Sequence, residues 1–525
     1  MKIKSRNHFL IFLISLFSFP AFSQNEVIYI WSGALTDSSI NINAKLTDSS
    51  STVRLILSTS QTFSSPLFSG YSHVDTTTNM MVAMTISGLT PATKYYYGVE
   101  SNGVADTSAD DVGSFTTLAI GPQSFYFVTG SCIYNSDHVV YEIMQNAQPL
   151  FFTCMGDLHY GNPNSATDIH VHHNMYDSLV LSKQRAAAFF KEVPIAYVWD
   201  DHDFSGNDSD SSAVGKENAQ QAYRDYVPHY ALPATNGAIY HAFTVGRIRF
   251  ILTDLRSDRY DSSMLGATQK LWFKNECIAA RDRQQIIAWI SSTTWNGTNV
   301  DNWGGFPGER RELADFFNDS LIKNMFIICG DAHMLGIDDG SDGDFSTASA
   351  NPNLYPIFNA AALNQGGSYK GGTFSEGGVF PNPGIYDGQF GLVQVIDSGD
   401  AMICINFYGF RTDFTGATIS LMNQYAFCRQ VGLPSGISMV QNYSSSSMLY
   451  PNPSPGNFVL STNEILRNPV ISIMDISGRE MKEQFDYSIS GKDISFMLNK
   501  FPPGIYFVNV KTENAVYRKE FVIAR

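Results

Sequence analysis

Four times between residues 122 and 430, an apolar run of strand length stops at a cluster of residues able to hold metal ions or move protons. Phe125–Thr129 runs into Gly130-Ser131-Cys132, and Phe151–Cys154 leads to Gly156-Asp157-Leu158-His159-Tyr160. Ile195–Trp199 opens Asp200-Asp201-His202-Asp203-Phe204-Ser205-Gly206-Asn207-Asp208, and Met325–Cys329 opens Gly330-Asp331-Ala332-His333. Strands alternating with helical stretches argue for an α/β core, which collects its ligands past the strand ends. One Gly-Asp after a strand is ordinary turn chemistry, but a succession of such clusters is not. Carboxylates, imidazoles and a thiol converging on one sheet edge would cost several kcal/mol of desolvation and repulsion unless cations neutralised them. A mixed O, N and S set suits iron or zinc, and an oxygen-richer neighbour suits calcium or manganese.

The rest of the 525-residue chain is too long for one domain and is multidomain in texture. With 44% hydrophobic and 16% charged residues, it has enough apolar surface to fold. The net charge of −15 and the lack of a basic run give no nucleic-acid-binding surface. Residues 1–23 combine Lys2, Lys4 and Arg6 with an apolar run and Ala21-Phe22-Ser23, the pattern of a secretory signal peptide. No later segment is long enough to span a bilayer, so no transmembrane segment is expected in the mature chain. Residues 24–118 alternate like a β-sandwich, and Gly88 to Tyr97 resembles the corner and following strand of a fibronectin type III domain. The central domain runs over 122–430, with helices expected over His138–Asn146, Asn174–Lys191, Glu217–Tyr226, Thr268–Arg281 and Glu309–Asn318. Residues 338–386 are polar and Gly-rich and read as a long loop beside the site. A Ser-rich linker, 431–447, precedes a small β-sandwich at 448–525. Its pieces Leu449-Tyr450-Pro451-Asn452-Pro453, Ser477-Gly478, Pro503-Gly504-Ile505-Tyr506 and Lys519-Glu520-Phe521-Val522 resemble a type IX secretion C-terminal sorting domain. Of six cysteines, Cys154 and Cys329 read as buried thiols, and a Cys404–Cys428 pairing is open.

The central motifs resemble the PhoD-like alkaline phosphatase and phosphodiesterase family of metallophosphoesterases. They are Gly130-Ser131-Cys132, Gly156-Asp157 with Tyr160, Trp199-Asp200-Asp201-His202 with Asn207, Asp254-Leu255-Arg256, Trp303 to Glu312, and Gly330-Asp331 with His333. The resemblance implies that Asp157 bridges two metals, that Cys132 and Tyr160 bind ferric iron, and that Asp331 and His333 complete the shells. It implies that Asp201 and Asn207 serve a second ion such as calcium, with zinc or manganese as alternatives. The family usually has two adjacent Asn residues where this chain has Asn207-Asp208. His202 would face the phosphoryl or leaving oxygen, and Arg256 would clamp phosphate as a catalytic partner. The implied protein is a secreted phosphoric ester hydrolase acting on phosphate monoesters or diesters through a metal-activated hydroxide. It would pass the periplasm and reach the cell surface or exterior through the type IX machinery. A phospholipase-type phosphodiesterase and a non-catalytic surface-binding protein with a degenerate phosphatase domain are the rival readings. His170, His172 and His173 read as a solvated helix start, Asp254 as a cap, and Glu309, Arg310 and Arg311 as solvated charges, with Arg310 a secondary phosphate candidate.

Overall fold

The computed structural model describes residues 27–523 except 107–111, 348–353, 432–446, 453, 463–464, 467–468, 476–480, 482–484, 499, 503 and 513–515. The expected signal peptide and nearly all of the expected linker lie outside the described residues. The chain divides into two compact units, one up to residue 432 and one from 433 onward.

Among the described residues the first unit holds three sheets, a smaller one built on Thr52–Ser58 and Lys94–Ser101 and two larger ones. The largest has nine strands in the order Ile419–Gln430, Met402–Thr412, Gly388–Asp397, Phe125–Gly130, Phe152–Met155, Ile195–Val198, Val27–Gly33, Ser39–Leu46 and Met81–Ser87. The second has seven, in the order His241–Val245, Ile248–Thr253, Ile286–Ser291, Met325–Cys329, Ile357–Ala360, Met334–Asp338 and Glu376–Pro381. Strands at the middle of each of these two sheets are parallel and buried along their length, as parallel strands covered on both faces must be. The faces between the two fill with aromatic rings. Phe127 meets Phe250 edge-on at 5.3 Å, and Phe358 stacks on Phe407 at 4.6 Å. Parallel strands in both layers finish at one edge, which carries the polar clusters.

Residues 27–118 do not stand apart from this core. Val27–Gly33 extends the large sheet beside Ile195–Val198, with Gly33 opposite Ile195. Trp31, fully buried, packs on Phe190 at 5.8 Å, and the Tyr97 hydroxyl donates to the Lys191 carbonyl at 2.8 Å. In the same N-terminal part, the Tyr95 hydroxyl accepts the Thr90 N–H at 3.0 Å and ties the loop before Lys94–Ser101 to that strand. The change of texture near 118–122 marks a change of topology, while the hydrophobic cluster runs on through both parts.

Two expectations are corrected. The helix expected over Asn174–Lys191 is three pieces, Ile169–Tyr176, a π turn Asp177–Leu181, and Gln184–Glu192, broken where Lys183 is extended. The wide turn brings Asp177 to Lys45 Nζ at 3.0 Å and to the Tyr226 hydroxyl at 2.9 Å. Among its described residues, the segment 338–386 holds the strands Ile357–Ala360 and Glu376–Pro381. Asn359 hides the first from a hydrophobicity reading. It is buried there because its Nδ2 donates to the carbonyls of Ala332 and Met334, each at 2.8 Å.

Cys404 and Cys428 sit directly opposite on adjacent antiparallel strands and form a disulfide. Cys154 and Cys329 are buried thiols. Among the described residues, no helix is long and apolar enough to cross a membrane. The second unit is a sandwich of a four-stranded and a three-stranded sheet around Phe458, Phe496, Tyr506 and Phe521.

If the N-terminal strands belong to the core, Trp31→Ala should cost about 3–5 kcal/mol in denaturant unfolding of the first unit. A loss below about 1 kcal/mol would show the sandwich to be a detachable module.

Candidate active site

Three of the strand-end residues leave their strands in the left-handed conformation. Cys132 has φ 61°, Asp157 φ 51° and Asp331 φ 61°. Each such residue without a glycine costs about 1–3 kcal/mol and persists only where the surroundings hold it. The restraints are visible. The Cys132 and Ile133 N–H groups donate to the carbonyls of Gly156 and Asp157 at 3.3 and 2.9 Å. Gly330 lets the two sheets approach, since a Cβ there would stand 2.6 Å from Ser131 Oγ and 2.9 Å from the Met155 carbonyl.

The side chains form three overlapping groups, each with ligand atoms within 4.8 Å of one another: Cys132, Asp157 and His333; Asp157, Asp201 and His202; and Asp201, Asp208 and Asp301. Asp157 belongs to the first two and Asp201 to the last two. Tyr160 packs against Cys132, and its hydroxyl lies 3.2 Å from His333 Nε2. His333 Nδ1 faces the Gly366 carbonyl, so this nitrogen carries the proton and Nε2 is left toward Cys132 and Asp157. His202 is fixed in the same manner. Asn162 donates Nδ2 to the Tyr160 carbonyl at 3.0 Å, which turns its Oδ1 to accept from His202 Nδ1 at 2.6 Å. The His202 ring lies over Tyr160, centroids 4.2 Å apart.

Burial first, and then the charges of Asp201, Asp200, Asp203 and Asp331, drive the Asp157 carboxyl well above the usual range. Burial and then Asp157 do the same to the Cys132 thiol. Asp331 is raised by burial and by Asp200, against the pull of Lys370. Burial holds His333 down to about 4 and lowers His202, so both imidazoles are neutral donors of a lone pair near neutral pH. Bare, the site therefore favours the neutral acid at Asp157 and Asp331. Oδ2 of Asp331 and of Asp200 are buried without a hydrogen-bond partner. The donor set fits cations: sulfur, phenol oxygen, imidazole and carboxylate around Cys132, and carboxylate oxygens around Asp201.

Of the residues singled out in the sequence, Cys132, Asp157, Tyr160, Asp201, His202 and His333 are brought together. Asp331 lies beside them, with Oδ1 3.1 Å from Lys370 Nζ. Asn207 is exposed, and it is the next residue, Asp208, whose carboxylate joins Asp201 and Asp301. Arg256 is corrected from a phosphate clamp to an internal latch. Its guanidinium is fully buried, with Nε 2.6 Å from Asp200 Oδ1, Nη1 and Nη2 at 2.9 and 3.0 Å from the two Asp301 oxygens, and Nη1 also on the Ser209 carbonyl at 3.3 Å. No face is left for substrate.

Arg310 is half-buried and already engaged, donating to the carbonyls of Trp295 and Gly297 with its guanidinium 3.7 Å from the Phe345 centroid. Glu309 is buried and accepts from the Ser263 hydroxyl at 2.8 Å, so it is not a solvated charge. His172 and His173 are buried too, His173 against Asp225 Oδ2 at 2.9 Å, while Asp254 caps the Arg256 and Ser257 N–H groups at 3.0 Å.

Sequence reasoning missed Asp301, Asn162 and Lys370. Asp301 stands two residues ahead of the quoted Trp303-Gly304-Gly305 motif, and that proximity was its one available signal.

Residues 125–371 match the PhoD-like phosphatase family and residues 448–524 match the secretion system C-terminal sorting domain. The chain therefore carries a PhoD-like phosphatase domain followed by a sorting domain of the type IX secretion system. Alkaline phosphatase D of Bacillus subtilis (strain 168) is 25% identical over 201 residues, 31% of this chain and 34% of that protein. The alignment thus spans about a third of that relative's length. A solved PhoD structure shares the fold, with a TM-score of 0.61 over 80% of this chain and 94% of its own at 16% identity.

Removing one partner of a buried charge network leaves the others uncompensated, so Arg256→Met should destabilise the first unit by about 3–5 kcal/mol in urea unfolding. A change below about 1 kcal/mol would mean that the guanidinium is not the latch.

Proposed function

We propose that the protein is an exported, metal-dependent phosphoesterase that hydrolyses phosphate monoesters or diesters. The observation that carries this reading is the sharing of Asp157 and Asp201 between successive ligand groups, an arrangement suited to neighbouring cations. Cys132, Asp157, Tyr160 and His333 would hold iron, with zinc as the alternative. Asp201, Asp208 and Asp301, with Asp157, would hold a harder ion such as calcium or manganese. Bound there, the cations supply charge neutralisation for phosphate and lower the pKa of a water.

The chain's own residues then have defined tasks. Asp157 offers two oxygens to two neighbours. Arg256 keeps Asp200 and Asp301 in place without touching substrate. His202, with its Nδ1 proton committed to Asn162, presents Nε2 as an acceptor. In that tautomer it can accept a proton from a water on its own side of the phosphoryl group, while the leaving oxygen on the opposite side takes its proton from solvent. The sandwich at 27–118 supports the sheet that carries Asp201 and His202. The sorting domain directs export to the cell surface or beyond.

Asp157→Asn should abolish hydrolysis of aryl phosphate monoesters and diesters while the circular dichroism spectrum is kept. Turnover within about tenfold of the parent would remove Asp157 from the centre of the reaction. Deleting 448–525 should leave that activity intact in purified protein and stop export, because every proposed ligand lies in the first unit. A folded but inactive truncation would show that the C-terminal unit contributes to catalysis.

A further inference from the structure

With Arg256 and Arg259 buried against Asp301, Lys370 is, among the described residues, the cation beside the ligand groups that keeps most solvent access. Its ammonium lies 3.1 Å from Asp331 Oδ1, and its side chain is 22% exposed. An ammonium carries three donors, and Asp331 takes one.

The placement is built in. The Lys370 carbonyl accepts from the Thr298 N–H at 3.2 Å and from Asn302 Nδ2 at 3.0 Å, in the segment that also supplies Asp301. After it the loop passes so close that a Cβ on Gly371 would stand 1.9 Å from Thr298 Oγ1, and one on Gly372 2.3 Å from the Asn296 carbonyl. Glycine is required at both positions for Lys370 to sit where it does. On the other side of the pair, Asp331 Oδ2 is buried and without a hydrogen-bond partner. A cation drawn to Oδ2 and the ammonium on Oδ1 would share one carboxylate. An anion held by that cation would then come within reach of the two spare ammonium donors.

We infer that Lys370 is a substrate-binding residue that holds a non-bridging phosphoryl oxygen and favours monoesters over diesters. The inference rests on the phosphoesterase reading of this site. A monoester above its second ionisation, near pH ~6, carries two charges on the phosphoryl group, whereas a diester carries one. A fixed point charge therefore contributes more to the monoester.

The test compares the metal-loaded full chain with Lys370→Gln and Lys370→Arg. Metal content, calorimetric affinity for inorganic phosphate, and kcat/KM for an aryl phosphate monoester and a bis-aryl diester are measured. Lys370→Gln should keep its metals, bind inorganic phosphate at least about tenfold more weakly, and lose at least about tenfold more kcat/KM on the monoester than on the diester. Lys370→Arg should recover part of both losses. Unchanged phosphate affinity, or equal losses on both esters together with lost metal, would overturn the inference and leave Lys370 a counter-ion of Asp331. Hydrolysis of neither ester by the parent enzyme would instead overturn the phosphoesterase reading, and the ester preference with it.

Discussion

Mutual repulsion among carboxylates at one edge of a two-sheet core governs the rest of this molecule. Asp157, Asp200, Asp201 and Asp331 are all buried within a few residues of strand ends, and burial opposes the ionised form of Asp157, Asp200 and Asp331. The fold answers part of this with permanent cations. Arg256 neutralises Asp200 and Asp301 from inside, and Lys370 meets Asp331 from the solvent side. Asp157 and Asp201 have no side-chain cation as close, the nearest being Arg256 Nη2 at 3.8 Å from Asp201 Oδ2. Those two are also the carboxylates shared between ligand groups, so the charge least closely met by the protein's own cations coincides with the place where metal ions would act.

The architecture exists to hold that edge. Two layers of parallel strands end together, Gly330 allows them to close, and three left-handed turns swing the chain away from the sheets. The aromatic interior between the layers supplies the stability from which such backbone strain is drawn. Around the ligands, hydrogen-bond acceptors set the imidazoles: the Gly366 backbone carbonyl for His333 and the Asn162 side-chain oxygen for His202. Their ring nitrogens are thus assigned before any ion arrives.

Much of this was legible in the sequence because the ligands follow their strands directly. A run such as Phe125–Thr129 or Met325–Cys329 announces both the strand and the position of what comes after it, and the structure has strands at each of the four runs that lead into the clusters. Residues delivered by loops were not legible. Asp301, Lys370 and Asn162 reach the site through chain paths set by distant contacts, and no local period marks them. Arg256 misled for a related reason. A strand-end arginine beside a phosphate-like motif has the chemistry of a clamp, and burial among Asp200, Asp201 and Asp301 is a tertiary fact. The strand Ile357–Ala360 was hidden by its buried asparagine, and the joining of Val27–Gly33 to the central sheet has no signal in either segment.

Elemental analysis of the purified chain together with its visible spectrum tests the central claim most directly. A thiolate and a phenolate on one ferric ion absorb visible light by charge transfer, whereas calcium and zinc centres do not. The account predicts iron together with a second, harder cation, and a visible band that disappears in Cys132→Ser and in Tyr160→Phe. A colourless protein that hydrolyses phosphate esters at full rate with no bound metal would contradict it.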